Sequence, residues 1–365
     1  MVNDLLYQIA LTDVPNIGPV QSKTLIEIFG TAEAVFKAKK NELETIDGIG
    51  TIKAKSIKSY ENFAAAEQEI AFIEKYKIQT LFLTDQAYPK RLLHCYDSPT
   101  LLYYRGNADL NASKIINIIG TRSNTEYGKN LTEKLIEELQ NLQVLIVSGL
   151  AYGIDAIAHK AAVANNCSTI GVLAHGLDII YPETHTALAK QMLQHGGLLT
   201  EFRKDTKPDK HNFPTRNRIV AGMCDATIVI ETAIKGGSMI TAELANGYNR
   251  DVFAFPGKTT DTKSAGCNHL IKNNKAALLE NAQQLIEALG WVEKKTKKKI
   301  QKELFIQLNK EEQIIIDIIK EKDNVHIDEI FQKSQLPSST IAATLLNLEF
   351  QNVLLSLPGK MYRLA

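Results

Sequence analysis

The densest chemistry in the chain lies in nine residues, Lys210-His211-Asn212-Phe213-Pro214-Thr215-Arg216-Asn217-Arg218. One phenylalanine ring stands among two arginines, a lysine and two asparagines. Single-stranded nucleic acid is bound by this combination, bases stacking on the ring while cations neutralise phosphates. Proline disfavours helix at the residue before it, so Phe213 is expected to be extended and exposed. The competing reading buries Phe213 in the core and uses Arg216 and Arg218 to brace neighbouring strands. Residue chemistry alone leaves the two readings level.

Three glycine-bearing turns add a second kind of chemistry. They are Gly120-Thr121-Arg122-Ser123, Ser148-Gly149-Leu150-Ala151-Tyr152-Gly153 and Lys235-Gly236-Gly237-Ser238. Each follows an apolar run, and small residues at a helix start leave backbone N–H groups open to an anion. Gly120, Thr121, Arg122, Ser148, Gly149, Gly153, Gly236, Gly237 and Ser238 are therefore expected around one phosphate-binding crevice. The dinucleotide fingerprint G-x-G-x-x-G is absent, since no second glycine follows Gly120 at the required spacing. Cys95, Cys167, Cys224 and Cys267 stand apart, and the eight histidines lack metal-ligand spacing. His159 reads as an ordinary helix residue. No catalytic group, metal or cofactor is expected.

These turns need a scaffold, and the hydrophobic pattern supplies one. From Lys114 to Trp291, apolar runs at 114–120, 144–150, 168–176, 197–202, 226–232 and 251–257 alternate with helical stretches at 129–141, 154–164, 184–194, 216–223 and 238–248. Near-continuous apolar runs are the mark of strands covered on both faces. The expected class is α/β, a Rossmann-like doubly wound parallel sheet over residues 114–291. Residues 1–71 read as a helical domain with an internal repeat. Leu11-x-x-Val14-x-Asn16-Ile17-Gly18 recurs as Leu43-x-x-Ile46-x-Gly48-Ile49-Gly50, resembling paired helix-hairpin-helix (SAM-like) units. Lys53 and Lys55 could assist a phosphate contact there, although such units also serve purely as docking domains.

Residues 72–113 read as a connector packing on the core, and the lysine-dense segment 292–304 as a linker. Residues 305–365 give three helices and a hairpin turning at Pro358-Gly359, the order of a winged helix. Its third helix, Ser338–Gln351, has no Lys or Arg, which argues for protein contact over major-groove reading.

Composition sets the outer limits. Of 365 residues, 44% are hydrophobic and 23% charged, which suits globular domains. Lys plus Arg number 42 against 41 Asp plus Glu, a net charge of +1, so a polyanion site must come from uneven placement. Lone cysteines suit a reducing cytoplasm. The N-terminus does not read as a signal peptide, and no apolar run approaches the ~18 residues of a membrane span.

The segments GTR (Gly120–Arg122), SGLAYGIDAIAH (Ser148–His159), GLDIIYP (Gly176–Pro182), FPTRNRIVAG (Phe213–Gly222), GGSMITAELA (Gly236–Ala245) and FAFPG (Phe253–Gly257) together resemble the DNA-processing protein A family, DprA or Smf. The resemblance implies a mediator of natural transformation that is not an enzyme. Such a protein protects incoming single-stranded DNA, loads a RecA-type recombinase and acts as a homodimer. A single-strand-binding protein is a further candidate partner. Carried over by position, the DNA pocket would use Arg122, Lys210 and Phe213, with Arg216, Asn217 and Arg218 from the same segment and Arg250 before the last strand. Dimer contacts would be sought after Gly257. The rival is a Rossmann-like nucleotide-binding enzyme or sensor. Gly236–Glu243 partly matches a phosphoribohydrolase motif, but Met239 stands where that motif has glycine.

Overall fold

The structure is a computed structural model describing residues 2–291, 308–351 and 353–365. Strands form where the apolar runs lie: β1 (Gln79–Phe82), β2 (Leu101–Gly106), β3 (Ile115–Ile119), β4 (Leu145–Ser148), β5 (Thr169–Val172), β6 (Gly196–Thr200), β7 (Ala226–Val229), β8 (Asp251–Ala254) and β9 (Ala277–Leu278). They make one sheet in the order β1-β2-β6-β5-β4-β3-β7-β8-β9. From β6 to β9 all neighbours are parallel. β1 and β2 add an antiparallel pair to β6.

That pair corrects the reading of 72–113, which supplies two strands of the sheet as well as a connection. The expected runs also overshoot: each continues past its strand into the turn, so residues 120, 149–150 and 230–232 are loop. The chain leaves β3 for β4 on one side and returns to β7 on the other. This reversal puts a crevice over the carboxyl ends of β3 and β7, where open α/β sheets take ligands.

The crossovers are the helices Glu126–Leu139, Ile154–Ala164, Thr186–Met192, Asn212–Gly222, Gly237–Gly247 and Ala265–Lys272. Asn212–Gly222 and Gly237–Gly247 share a buried cluster with Ile115, Ile119, Leu145, Val147, Ile170 and Val172. The alternate residues Ile116, Ile118 and Ile146 are fully buried too, so the central strands are covered on both faces.

The N-terminal helices belong to the same compact unit, which runs to Leu278. Ile9, Leu11, Leu25, Val35, Leu43 and Ile57 pack with Phe82, Leu101 and Tyr103 of β1 and β2. The repeated turns take equivalent left-handed backbone at Asn16 (φ 68°) and Gly48 (φ 77°), the region that suits glycine and tolerates asparagine. Lys53 donates to the Gly48 carbonyl at 2.6 Å and is occupied within its own turn.

The second unit, from Leu279, holds the helices Ala282–Ala288, Lys310–Lys320, Ile327–Ser334 and Ser338–Phe350 and the strands β10 (Val325–His326), β11 (Leu354–Leu357) and β12 (Met361–Leu364). β12 pairs with both of its neighbours, so helices and wing follow winged-helix order. The linker read at 292–304 lies outside the described residues. Among the described residues no helix is long and apolar enough to cross a membrane.

Candidate nucleic-acid interface

The loop after β3 is held at both ends by one residue. Glu231, fully buried just beyond β7, takes the Thr121 N–H on its carbonyl at 2.7 Å. Its carboxylate accepts from the Thr125 N–H and Oγ1, each at 2.8 Å. Between those anchors Arg122 points outward, exposed. Gly153 (φ +75°) lets helix Ile154–Ala164 start against this loop, since a Cβ there would lie 2.2 Å from the Thr121 carbonyl.

Phe213 and Pro214 correct the sequence expectation, for both lie in the first turn of helix Asn212–Gly222. First-turn N–H groups have no partner within the helix, so proline forfeits no bond there. Phe213 is half-buried and turned to the crevice. The Arg122 guanidinium stands over its ring at 5.2 Å, and the Tyr181 ring leans on it at 6.1 Å and 48°. The crevice is a cleft of about 1290 Å³. Gly120, Thr121, Arg122, Gly149, Lys210, Phe213, Arg216, Asn217, Gly236, Gly237 and Ser238, all expected from sequence, line it. Its cations are Arg122, Lys207, Lys210, Arg216 and Lys235, five against the three carboxylates Asp155, Asp178 and Asp205. Two of those acids are engaged: Asp155 accepts from the Gly149 N–H at 3.0 Å, and Asp205 pairs with Lys204 at 2.6 Å. The local balance is therefore positive although the chain is nearly neutral.

Arg216 is the floor. It is 4% exposed and donates to the carbonyls of Gly149 (2.6 Å) and Val172, with Nε on Asn217 Oδ1 at 3.1 Å. Burial pulls its pKa down to about 10, opposed by Asp155 and assisted by Arg122. Gly149 is required beneath it, because a Cβ would stand 2.4 Å from Nη2.

Four residues expected at the crevice do not line it. Ser148 is buried with Oγ on the Ile118 carbonyl at 2.7 Å, and Gly153 is used for helix packing. Arg218 is buried in an ion pair with Glu201 and donates also to the Asp97 carbonyl. Arg250 is buried and donates to the carbonyls of Arg91 (2.6 Å) and Gly222 (3.3 Å). None of the four lines the cleft, because each spends its polar atoms or its missing side chain on the framework. His159 is fully buried with Nδ1 2.7 Å from Thr169 Oγ1, and burial pulls its pKa down to about 3. Glu243, the acid of the phosphoribohydrolase reading, pairs with Lys275 at 3.2 Å and does not line the cleft.

Sequence reasoning missed Lys207, Ile179 and Tyr181, and it did not single out Lys235 as a ligand. The signal for Tyr181 lay in GLDIIYP, where an aromatic again precedes proline. Lys207 and Lys210 ride on a loop held from outside the sheet. Glu69, 1% exposed on helix Phe63–Tyr76, accepts the Lys204 N–H at 3.1 Å. Arg203 reaches Asp13 at 3.2 Å and the Ala65 carbonyl at 3.2 Å. The N-terminal helices thus fix one rim of the cleft.

With this geometry established, three comparisons bear on the chain. A family model described as DNA recombination-mediator protein A matches residues 79–290. Models for the DprA winged helix domain and a helix-hairpin-helix motif match residues 306–360 and 9–70. Protein Smf of Synechocystis is 36% identical over 288 residues, covering 78% of this chain and 72% of its own. An X-ray structure of DNA processing protein A from Streptococcus pneumoniae aligns with TM-score 0.64 at 33% identity, over 77% of this chain and 96% of that one. The Helicobacter pylori protein, whose structure describes a single-stranded DNA binding mode, aligns with TM-score 0.54 at 34% identity, over 59% of this chain and 96% of its own.

Proposed function

This chain belongs to the DNA recombination-mediator protein A family, and from that premise we propose that its cleft binds single-stranded DNA. The observation that carries this reading is Arg122 over Phe213 at the mouth of a cleft with more cations than carboxylates. A ring flanked by a guanidinium offers a base a stacking partner and its phosphate a counter-charge together. Lys207, Lys210 and Lys235 surround that centre and follow the backbone without reading sequence. Arg216 and Asn217 set the floor beneath it. The uncapped start of helix Gly237–Gly247 adds backbone donors, with Gly237 leaving open space around its Cα.

In the fuller form of the proposal, the protein protects incoming single strands and loads a RecA-type recombinase on them as a homodimer during natural transformation. The cytoplasm is its place of action and it performs no catalysis.

Fluorescence anisotropy with a labelled single-stranded oligonucleotide, challenged by duplex of the same sequence, tests the cleft. The expected result is single-strand preference, a log–log salt slope of about −0.7 per neutralised phosphate, and a loss of about 1–3 kcal/mol in folded Phe213→Leu. Equal binding to both forms, or none, would overturn the proposal. Loading is then tested by whether the protein speeds recombinase filament growth on strands already coated with single-strand-binding protein.

A further inference from the structure

We propose that Tyr181 and Tyr152 form a second nucleobase platform beside Phe213, so that the cleft takes at least two splayed bases of one strand. This rests on the single-strand reading above and extends it to residues outside the Phe213 segment.

Both tyrosines expose nearly half their surface, 46% at Tyr181 and 47% at Tyr152. A tyrosine that serves the core is buried, as Tyr88 is with its hydroxyl on the Pro99 carbonyl at 2.6 Å. Neither Tyr152 nor Tyr181 has a protein partner for its hydroxyl among the described residues. What the fold does instead is hold each ring from behind. Tyr181 rests on Phe213, and Tyr152 packs edge-on against His185 at 5.2 Å. His185 is in turn fixed by the Leu150 carbonyl at 3.0 Å from Nδ1. Each ring is set in place with its outer side presented to water, so little side-chain freedom is lost when a ligand covers it.

The surroundings specify the ligand. Tyr152 and Tyr181 border a recess off the main cleft that also touches Arg122, Phe213 and Arg216. At about 20 Å³ the recess admits a water and not a base, so the flat groups must lie on the exposed ring faces rather than between the rings. A ligand with repeated flat aromatic groups joined by anions, free to unstack, matches rings set around the exposed Arg122. Single-stranded nucleic acid has that pattern, and a duplex keeps its bases paired inside.

The test uses the full chain with labelled oligothymidine and with a strand carrying 2-aminopurine, whose fluorescence reports stacking. Tyr181→Leu and Tyr152→Leu are each expected to weaken binding about five-fold or more, to leave the salt slope unchanged, and to reduce the 2-aminopurine change on binding. Tyr181→Phe and Tyr152→Phe keep the ring and are expected to bind like the parent; a thermal melt of each variant checks folding. Leucine variants that bind like the parent, while Phe213→Leu is still impaired, would overturn the second platform and leave the single-strand reading standing. A flattened salt slope would overturn it too, since the loss would then lie in phosphate contact. A parent protein without single-strand preference would sink the reading on which the platform rests.

Discussion

Helix Asn212–Gly222 meets two arginines in opposite surroundings, Arg122 from the loop after β3 and its own Arg218. Its first turn gives Phe213 to the cleft, where Arg122 stands over the ring with its guanidinium exposed. Further along, Arg218 enters the protein, meets Glu201 and the Asp97 carbonyl, and is 7% exposed. Tyr248 closes the same network through Asp97 Oδ1 at 2.7 Å. One arginine keeps its donors exposed to water; the other spends them on the fold. Arg216 lies between them, inside the cleft wall but committed to the carbonyls below it. The contrast teaches that a cation-rich segment sorts by burial. A buried guanidinium must be satisfied by protein, and only an exposed one remains free for phosphate.

The largest effect that separates the two ends is on stability. Arg218→Met leaves Glu201 buried without its partner, and removing one member of such a pair costs about 3–5 kcal/mol. Urea unfolding is expected to register that loss while the folded fraction binds single strands as the parent does. Weaker binding with unchanged stability would erase the distinction between the ends.

A pH profile sharpens the same point. Burial pushes the Glu201 carboxyl up to about 7, with the Arg218 charge opposing the shift. An acid with a raised pKa in the folded state binds more protons folded than unfolded, so its contribution to stability is present at low pH. That contribution is lost as pH rises from the ordinary carboxylate range through about 7. The difference in melting temperature between the parent and Glu201→Gln should therefore change across that interval, moving against the parent as pH rises. A constant difference would mean that Glu201 is ionised throughout.

Arg122→Met probes the open end and has a smaller effect. Its stability is expected to stay within about 0.5 kcal/mol of the parent, as for an exposed side chain. The salt slope of single-strand binding should flatten by about 0.7, one phosphate contact. An unchanged slope would remove Arg122 from the phosphate path.

How much of this was legible beforehand follows the same divide. The central strands were readable because burial on both faces writes uninterrupted apolar runs, and helix Ile154–Ala164 fell where its pattern put it. β1 and β2 were not, because each is short and its place in the sheet depends on pairing with β6 far along the chain. Residue chemistry and family resemblance together single out Arg122, Lys210 and Phe213, and all three line the cleft. The burial of Arg218 is not legible locally, because its partners lie 17 and 121 residues away and no local pattern announces them. Phe213 was expected to be extended from the proline rule, which yields in a helix's first turn.

Lys207 and Lys210 raise the finest question, because their loop is held by a different part of the chain from Arg122. Glu231 clamps the Arg122 loop from the turn after β7, whereas Glu69 clamps the lysine loop from the N-terminal helices. Burial raises the Glu69 pKa, while the Lys204 N–H and the Arg203 charge favour its ionised form. If Glu69 acts by holding the loop, Glu69→Ala and Lys210→Ala each weaken binding, but together they cost less than their sum, since a lysine already out of place has little left to lose. The expected coupling is at the low end for residues sharing a network, about 0.5 kcal/mol. Glu69→Ala combined with Arg122→Met should be additive, because the second clamp is untouched. Additivity in both pairs would reduce Glu69 to general support of the fold. Coupling in both would mean that the two rims move as one body, and the division of the cleft between sheet and helices would disappear.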